Sequence, residues 1–176
     1  MFGDPILNEK GFKTVQLKIL TQFNSIKGKI EVSENTWLLN LDMVESNTGN
    51  VIDKLRTSKV DGSTIEFDTT CVLYSKLRPY LNKVVVPDEP GYATSELISL
   101  KCNPKQVNRH YLATALRHKS FVDYINSKTA GAKMPRANMD ELRKFAIPVP
   151  SIELQNEFSS FVNRIDKLKF SYPSRN

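Results

Sequence analysis

Only two cysteines, Cys71 and Cys102, occur in the 176 residues, and neither belongs to a Cys-x-x-Cys pair. They could pair with each other, but Met1-Phe2-Gly3-Asp4-Pro5 has no basic flank followed by an apolar stretch and does not read as a secretion signal. A reduced protein of the cytoplasm is therefore the expectation. Histidine is as scarce, and His110 and His118 have no third ligand near them, which argues against zinc. Long apolar runs are missing too. The longest, such as Trp37-Leu38-Leu39 and Val84-Val85-Val86, fall far short of the roughly 20 residues that a membrane-spanning helix needs.

The chain has seven glycines and none of the loops that cradle phosphates or cofactors. An adenine methyltransferase would need an Asn/Asp-Pro-Pro-Tyr/Phe loop around the flipped base, and none is present. A magnesium nuclease would need clustered carboxylates. Pro87-Asp88 resembles the opening of such a motif, but Glu96-Leu97-Ile98 has Ile where Lys is required, and Glu141-Leu142-Arg143-Lys144 has the wrong spacing. Neither Gly-x-Ser-x-Gly nor a convergent acid–base set occurs. The expectation is a binding protein without catalysis or cofactor.

What the sequence does have is a globular composition, 40% hydrophobic and 25% charged, with its charge unevenly placed. Residues 1–90 hold 11 Lys+Arg and 12 Asp+Glu, a net of −1; residues 91–176 hold 14 and 7, a net of +7. Within 101–144, ten basic residues stand against three acidic ones. Such a stripe favours a polyanionic partner through counterion release, the alternative being a solvated face with no partner.

No repeat or low-complexity stretch interrupts residues 1–150, which we expect to form one α+β domain, strands first and helices later. Thr14 to Leu20 alternates imperfectly and fits a strand or a short helix. Trp37 to Leu41 reads as a buried strand, with a turn at Ser46–Asn50 and a strand resuming at Val51-Ile52. Asp61-Gly62-Ser63 is another turn. Thr70–Ser75, rich in β-branched and aromatic residues, reads as a central strand, with Lys83–Val86 and Ser95–Lys101 as neighbours joined by the Pro87–Gly91 loop.

Helix signals follow. Asn103 is a good N-cap with Pro104 in the first helical position. Val107, Tyr111, Ala115, Val122 and Ile125 recur near helical spacing, with Lys105, Arg109, Arg117 and Lys119 off that stripe. Asn138 and Glu141 make a capping-box-like start for a short helix, and Ile147-Pro148-Val149-Pro150 ends it at a candidate domain boundary. Ser151 then caps a last helix predicted to reach Lys169. In it Leu154, Phe158, Phe161, Ile165 and Leu168 are spaced 4, 3, 4, 3. Residues 151–176 would thus be a spacer or dimerisation helix of coiled-coil type, or a helix folded back onto residues 1–150.

Several segments, taken in order, resemble the specificity subunit of type I restriction-modification enzymes. Met1-Phe2-Gly3-Asp4-Pro5 and Gly11-Phe12-Lys13 resemble the passage from a long connecting helix into a target-recognition domain. Val72 through Lys83 resembles the family's central strand and the loop after it, and Thr94-Ser95-Glu96 with its apolar strand matches the next element. Gly131-Ala132-Lys133-Met134-Pro135-Arg136, Leu142, Ile147-Pro148-Val149-Pro150 and Gln155 match the close of the domain. The resemblance implies a subunit without catalysis of its own. Double-stranded DNA, methyltransferase subunits and restriction subunits would be its partners. Full-length members carry two recognition domains spaced by two long helices in a coiled coil. One domain and a short helix here are what a half-subunit, a recombination cassette product or a truncated relic would retain.

Within that frame Lys76 and Arg78 lie just past the central strand, where Arg can pair with guanine and Lys with phosphate. Lys133 and Arg136 flank Met134-Pro135 as a phosphate clamp, and Asn138 could read adenine or simply cap its helix. The corner formed by Ser75–Pro79 could instead be structural, its charges merely solvated. We expect Thr94-Ser95-Glu96 to be structural, Trp37 to be core, and Tyr74 and Tyr80 to pack rather than stack on bases. One rival reading is a protein-interaction fragment without DNA binding. Another, a non-specific RNA- or single-strand-binding domain, lacks the exposed aromatics of a stacking platform.

Overall fold

The computed structural model describes residues 1–24, 26–129 and 133–171, with the side chains of the last helix described as far as Ile165. The fold is α+β, and its layers follow from alternation along one strand. β6 (Cys71–Ser75) is buried at every position. Val72 and Tyr74 join one apolar cluster with the helices, while Cys71 and Leu73 join a second. A strand covered on both faces reads as a continuous apolar run, as this one does.

β6 sits inside an antiparallel sheet of order β2-β9-β6-β7, where β2 is Thr21–Phe23, β7 is Val84–Val85 and β9 is Leu97–Cys102. Both neighbours expected for β6 are thus in place. Cys71 stands opposite Lys101, so Cys102 falls on the other face, and the two buried cysteines belong to different clusters. Both are free.

The second sheet has order β4-β3-β8-β5, built from β3 (Trp37–Leu39), β4 (Leu55–Arg56), β5 (Ile65–Phe67) and β8 (Gly91–Ala93). Trp37 is core, edge-on to Phe67 with ring centroids 5.1 Å apart. The Pro87–Gly91 stretch runs into β8, where the sequence pattern gives only a loop. Val51 makes only a single bridge, to Val44.

On the opposite side of the first sheet lie α2 (Arg109–Arg117), α3 (Lys119–Ser127) and α4 (Met139–Lys144). The expected start at Asn103 needs correction. Asn103 O accepts from Gln106 and Val107 in one isolated turn, and the helix begins after Asn108, whose side chain accepts from His110 N. His118 closes α2 and caps α3, which splits the predicted single stripe in two. Asn138 caps α4, accepting from the amides of Asp140 and Glu141 at 3.0 and 3.2 Å.

Thr14 to Leu20 is both a strand and a helix, β1 (Thr14–Gln16) followed by α1 (Leu17–Leu20). β1 pairs with β10 (Ala146–Pro148), so the proline step that ends α4 also forms a strand. Pro lacks an amide donor but is tolerated at the edge of a two-stranded sheet.

α5 (Ile152–Ser171) then packs on α2. Gln155 anchors it from a fully buried position: its Nε2 donates to Pro150 O and Gln106 O, and its Oε1 accepts from Asn108 N. The heptad seam divides along its length. Leu154 is half-buried, and Phe158 lies edge-on to Phe2 at 5.1 Å against the domain's own core, whereas Phe161 and Ile165 are 56% and 36% exposed. Leu168 lies outside the described side chains.

Candidate nucleic-acid interface

The central strand delivers its chain to a sharp corner. Ser75 Oγ donates to Leu77 O at 2.8 Å and Lys76 N to Glu96 O at 2.8 Å, which ties the strand end to the Thr94–Glu96 turn. Leu97 N closes that turn on Thr94 O, the structural role expected of it. The chain then meets the segment before α4. Leu77 bridges Arg136 antiparallel, Arg78 N donates to Pro135 O at 2.8 Å, and Ala137 N donates to Lys76 O at 2.8 Å.

These backbone bonds form a clip that joins the two basic segments picked out in the sequence. Lys76 and Arg136 are close enough to act on each other. Partial burial is the main cause of a lowered Lys76 pKa; Glu96 opposes the shift and Arg136 adds to it. Arg78, Lys133 and Arg136 are exposed, and among the described residues none of the four cations makes an ion pair. Asn138 is exposed beside them, but its side-chain oxygen is engaged by the α4 cap, which leaves only its amide nitrogen to offer a base.

Much of the remaining basic stripe is engaged by other groups of the chain. Lys101 pairs with Asp68, Lys119 with Asp123, and Arg143 with Asp140. Arg109 donates to Pro87 O and Arg117 to Val84 O, so both half-buried guanidinium groups hold the β7 region rather than facing solvent freely. The run from 101 to 144 is therefore not one continuous cationic face.

Two apolar side chains flank the clip unexpectedly. Tyr80 and Met134 are each 49% exposed, whereas Tyr74 is core as expected. The corner expected over Ser75–Pro79 carries no information on the direction of the Tyr80 ring. Among the described residues no group of three or more His, Cys, Asp or Glu side chains could hold a metal ion. Nor is any helix among them long and apolar enough to cross a membrane.

Arg78, Lys133 and Arg136 thus stand exposed on two clipped segments without ion-pair partners among the described residues, and Tyr80 and Met134 are exposed on the same segments. The chain belongs to the type I restriction modification DNA specificity domain family, whose description matches residues 9–171. It is 28% identical over 141 residues to the type I restriction enzyme EcoDI specificity subunit of Escherichia coli, covering 78% of this chain and 30% of that protein. Its fold resembles the HsdS subunit of Thermoanaerobacter tengcongensis, with a TM-score of 0.65 at 14% identity over 93% of this chain and 46% of that one. A chain from a structure of type I R-M system assembly and conformational transition gives 0.66 at 11% identity, over 90% and 44% of the two chains. The type I S subunit of M. genitalium gives 0.57 at 15% identity, over 90% and 41%. The chain thus spans less than half the length of each of these relatives.

Proposed function

We propose that this chain is a non-catalytic target-recognition module that binds duplex DNA sequence-specifically through the clip. The observation that carries the reading is the Leu77–Arg136 bridge, which brings Lys76, Arg78 and Arg136 together without ion-pair partners of their own. Cations on a backbone-fixed frame suit a polyanion, and a bidentate Arg suits a base edge. Lys76, Lys133 and Arg136 serve as phosphate contacts and Arg78 as a base contact, with Asn138 at the margin. Residues 1–150 form the recognition unit, and the helix beyond them is the spacer. The exposed Phe161 and Ile165 supply a surface for self-association or for the methyltransferase and restriction subunits of a type I system. The two buried, unpaired cysteines agree with a cytoplasmic site of action.

Fluorescence anisotropy with labelled duplex, single-stranded DNA and RNA tests the reading. Duplex should bind most tightly, with an affinity that falls steeply as salt rises. Equal weak binding to all three nucleic acids would contradict it.

A further inference from the structure

Nine described residues have a positive φ, and eight of them are asparagine or glycine. The ninth is Arg78, at φ 48° and ψ 62°. The left-handed region is strained for an ordinary side chain and nearly free for Gly or Asn, so Arg78 occupies a position where either would hold the turn more easily. Such strain persists where surrounding structure over-determines the backbone, and it gathers at functional sites.

The surroundings do over-determine it. Arg78 N is held by Pro135 O, Leu81 N by Arg78 O, and Asn82 N by Pro79 O. Asn82, also left-handed, donates its side-chain amide to Arg117 O, and Asn47 N reaches the carbonyls of Leu81 and Asn82. Pro79 is buried, and the turn packs against α3. Gly49 closes the base: a Cβ there would lie 1.8 Å from Val84 O. Despite this fixation the turn leaves Arg78 exposed and Tyr80 half-exposed, with no hydrogen bond from the Tyr80 hydroxyl among the described residues.

We propose that residues 78–82 form a preformed base-reading finger in which Arg78 and Tyr80 are the specificity-determining side chains. The inference rests on the duplex-binding reading and deepens it. A fixed backbone removes most of the ordering that recognition would otherwise require. The Arg78 fork matches the two acceptors of a guanine edge, while the stiff Tyr80 ring offers an apolar surface to a thymine methyl at a neighbouring base pair.

The test uses the full chain, a duplex that it enriches from a random-sequence pool, and a panel carrying each single base-pair change of that duplex. Arg78→Asn should lower preference at one base pair roughly tenfold or more, and Tyr80→Ala should do so at a neighbouring pair, leaving the other positions unchanged. Arg78→Asn should also melt no lower than wild type, because Asn accepts the left-handed backbone. Variants that keep the wild-type profile, or that weaken all positions alike, overturn the finger while duplex recognition stands. A melting temperature several degrees lower for Arg78→Asn overturns it as well, since Arg78 would then be held for packing. A wild type without base preference overturns both readings.

Discussion

Leu77 and Arg136 meet in an isolated antiparallel bridge, flanked by the 2.8 Å hydrogen bonds Arg78 N to Pro135 O and Ala137 N to Lys76 O. The bridge places the cations of two distant segments on one surface, with no acid opposite them at ion-pair distance among the described residues. Lys133→Ala and Arg136→Ala should each weaken all duplexes alike and reduce the slope of log K against log salt by about one. Titration at four salt concentrations checks this; unchanged slopes would remove both residues from the phosphate contacts.

Lys76 titrates against that surface. Burial, helped by Arg136 and opposed by Glu96, holds it below the ordinary lysine value of 10.5 in the free protein. A bound phosphate favours the charged form and raises the pKa again, so binding takes up protons where free Lys76 has begun to lose them. Wild-type affinity should therefore fall as pH rises toward 10.5, earlier than in Lys76→Arg, which stays charged. Coincident pH profiles for the two proteins would place Lys76 away from the phosphates.

Gln155 is fully buried, and its side chain bonds to three backbone groups across α5, Pro150 and the 106–108 segment. Gln155→Leu would leave Asn108 N and two carbonyls without these partners, at about 1–3 kcal/mol for each group that stays unsatisfied. Thermal unfolding should show a clear drop in melting temperature. A variant as stable as wild type would mean that α5 is not anchored there.

Among the described side chains of the heptad seam, Phe161 and Ile165 are the exposed ones, while Phe158 is engaged by Phe2. Burial in a two-fold dimer would contribute about 1.5–3 kcal/mol for each side chain. Sedimentation should give a wild-type dimer at roughly tens of micromolar, and a monomer for the Phe161→Glu, Ile165→Lys variant. A wild-type monomer at that concentration contradicts the dimer.

Elements whose cause is local were legible in the sequence. The run Cys71–Ser75 announces a strand covered on both sides, and Asn138 announces its own helix. Elements decided by distant partners were not. Asn103 and Asn108 are both plausible caps, and α2 starts at the second, where Gln155 accepts the Asn108 amide. Pro148 looks like a breaker until β1 lies beside it. Arg109 and Arg117 count as surface charge until Pro87 O and Val84 O are found to hold them. The candidate site divides the same way. Lys76, Arg78, Lys133 and Arg136 stood out individually, but the bridge that joins them depends on the register of two loops. Tyr80 was expected to pack because the strand before it is apolar, yet the left-handed residues on either side leave its ring half-exposed.

The central claim, sequence-specific duplex recognition by this chain alone, is tested most directly by selecting bound duplexes from a random-sequence pool at moderate salt. The expected result is enrichment of one short motif of roughly three to four base pairs, the reach of a few base-contacting side chains on one element. Recovery of an unenriched pool, under conditions where the protein remains folded, would contradict it.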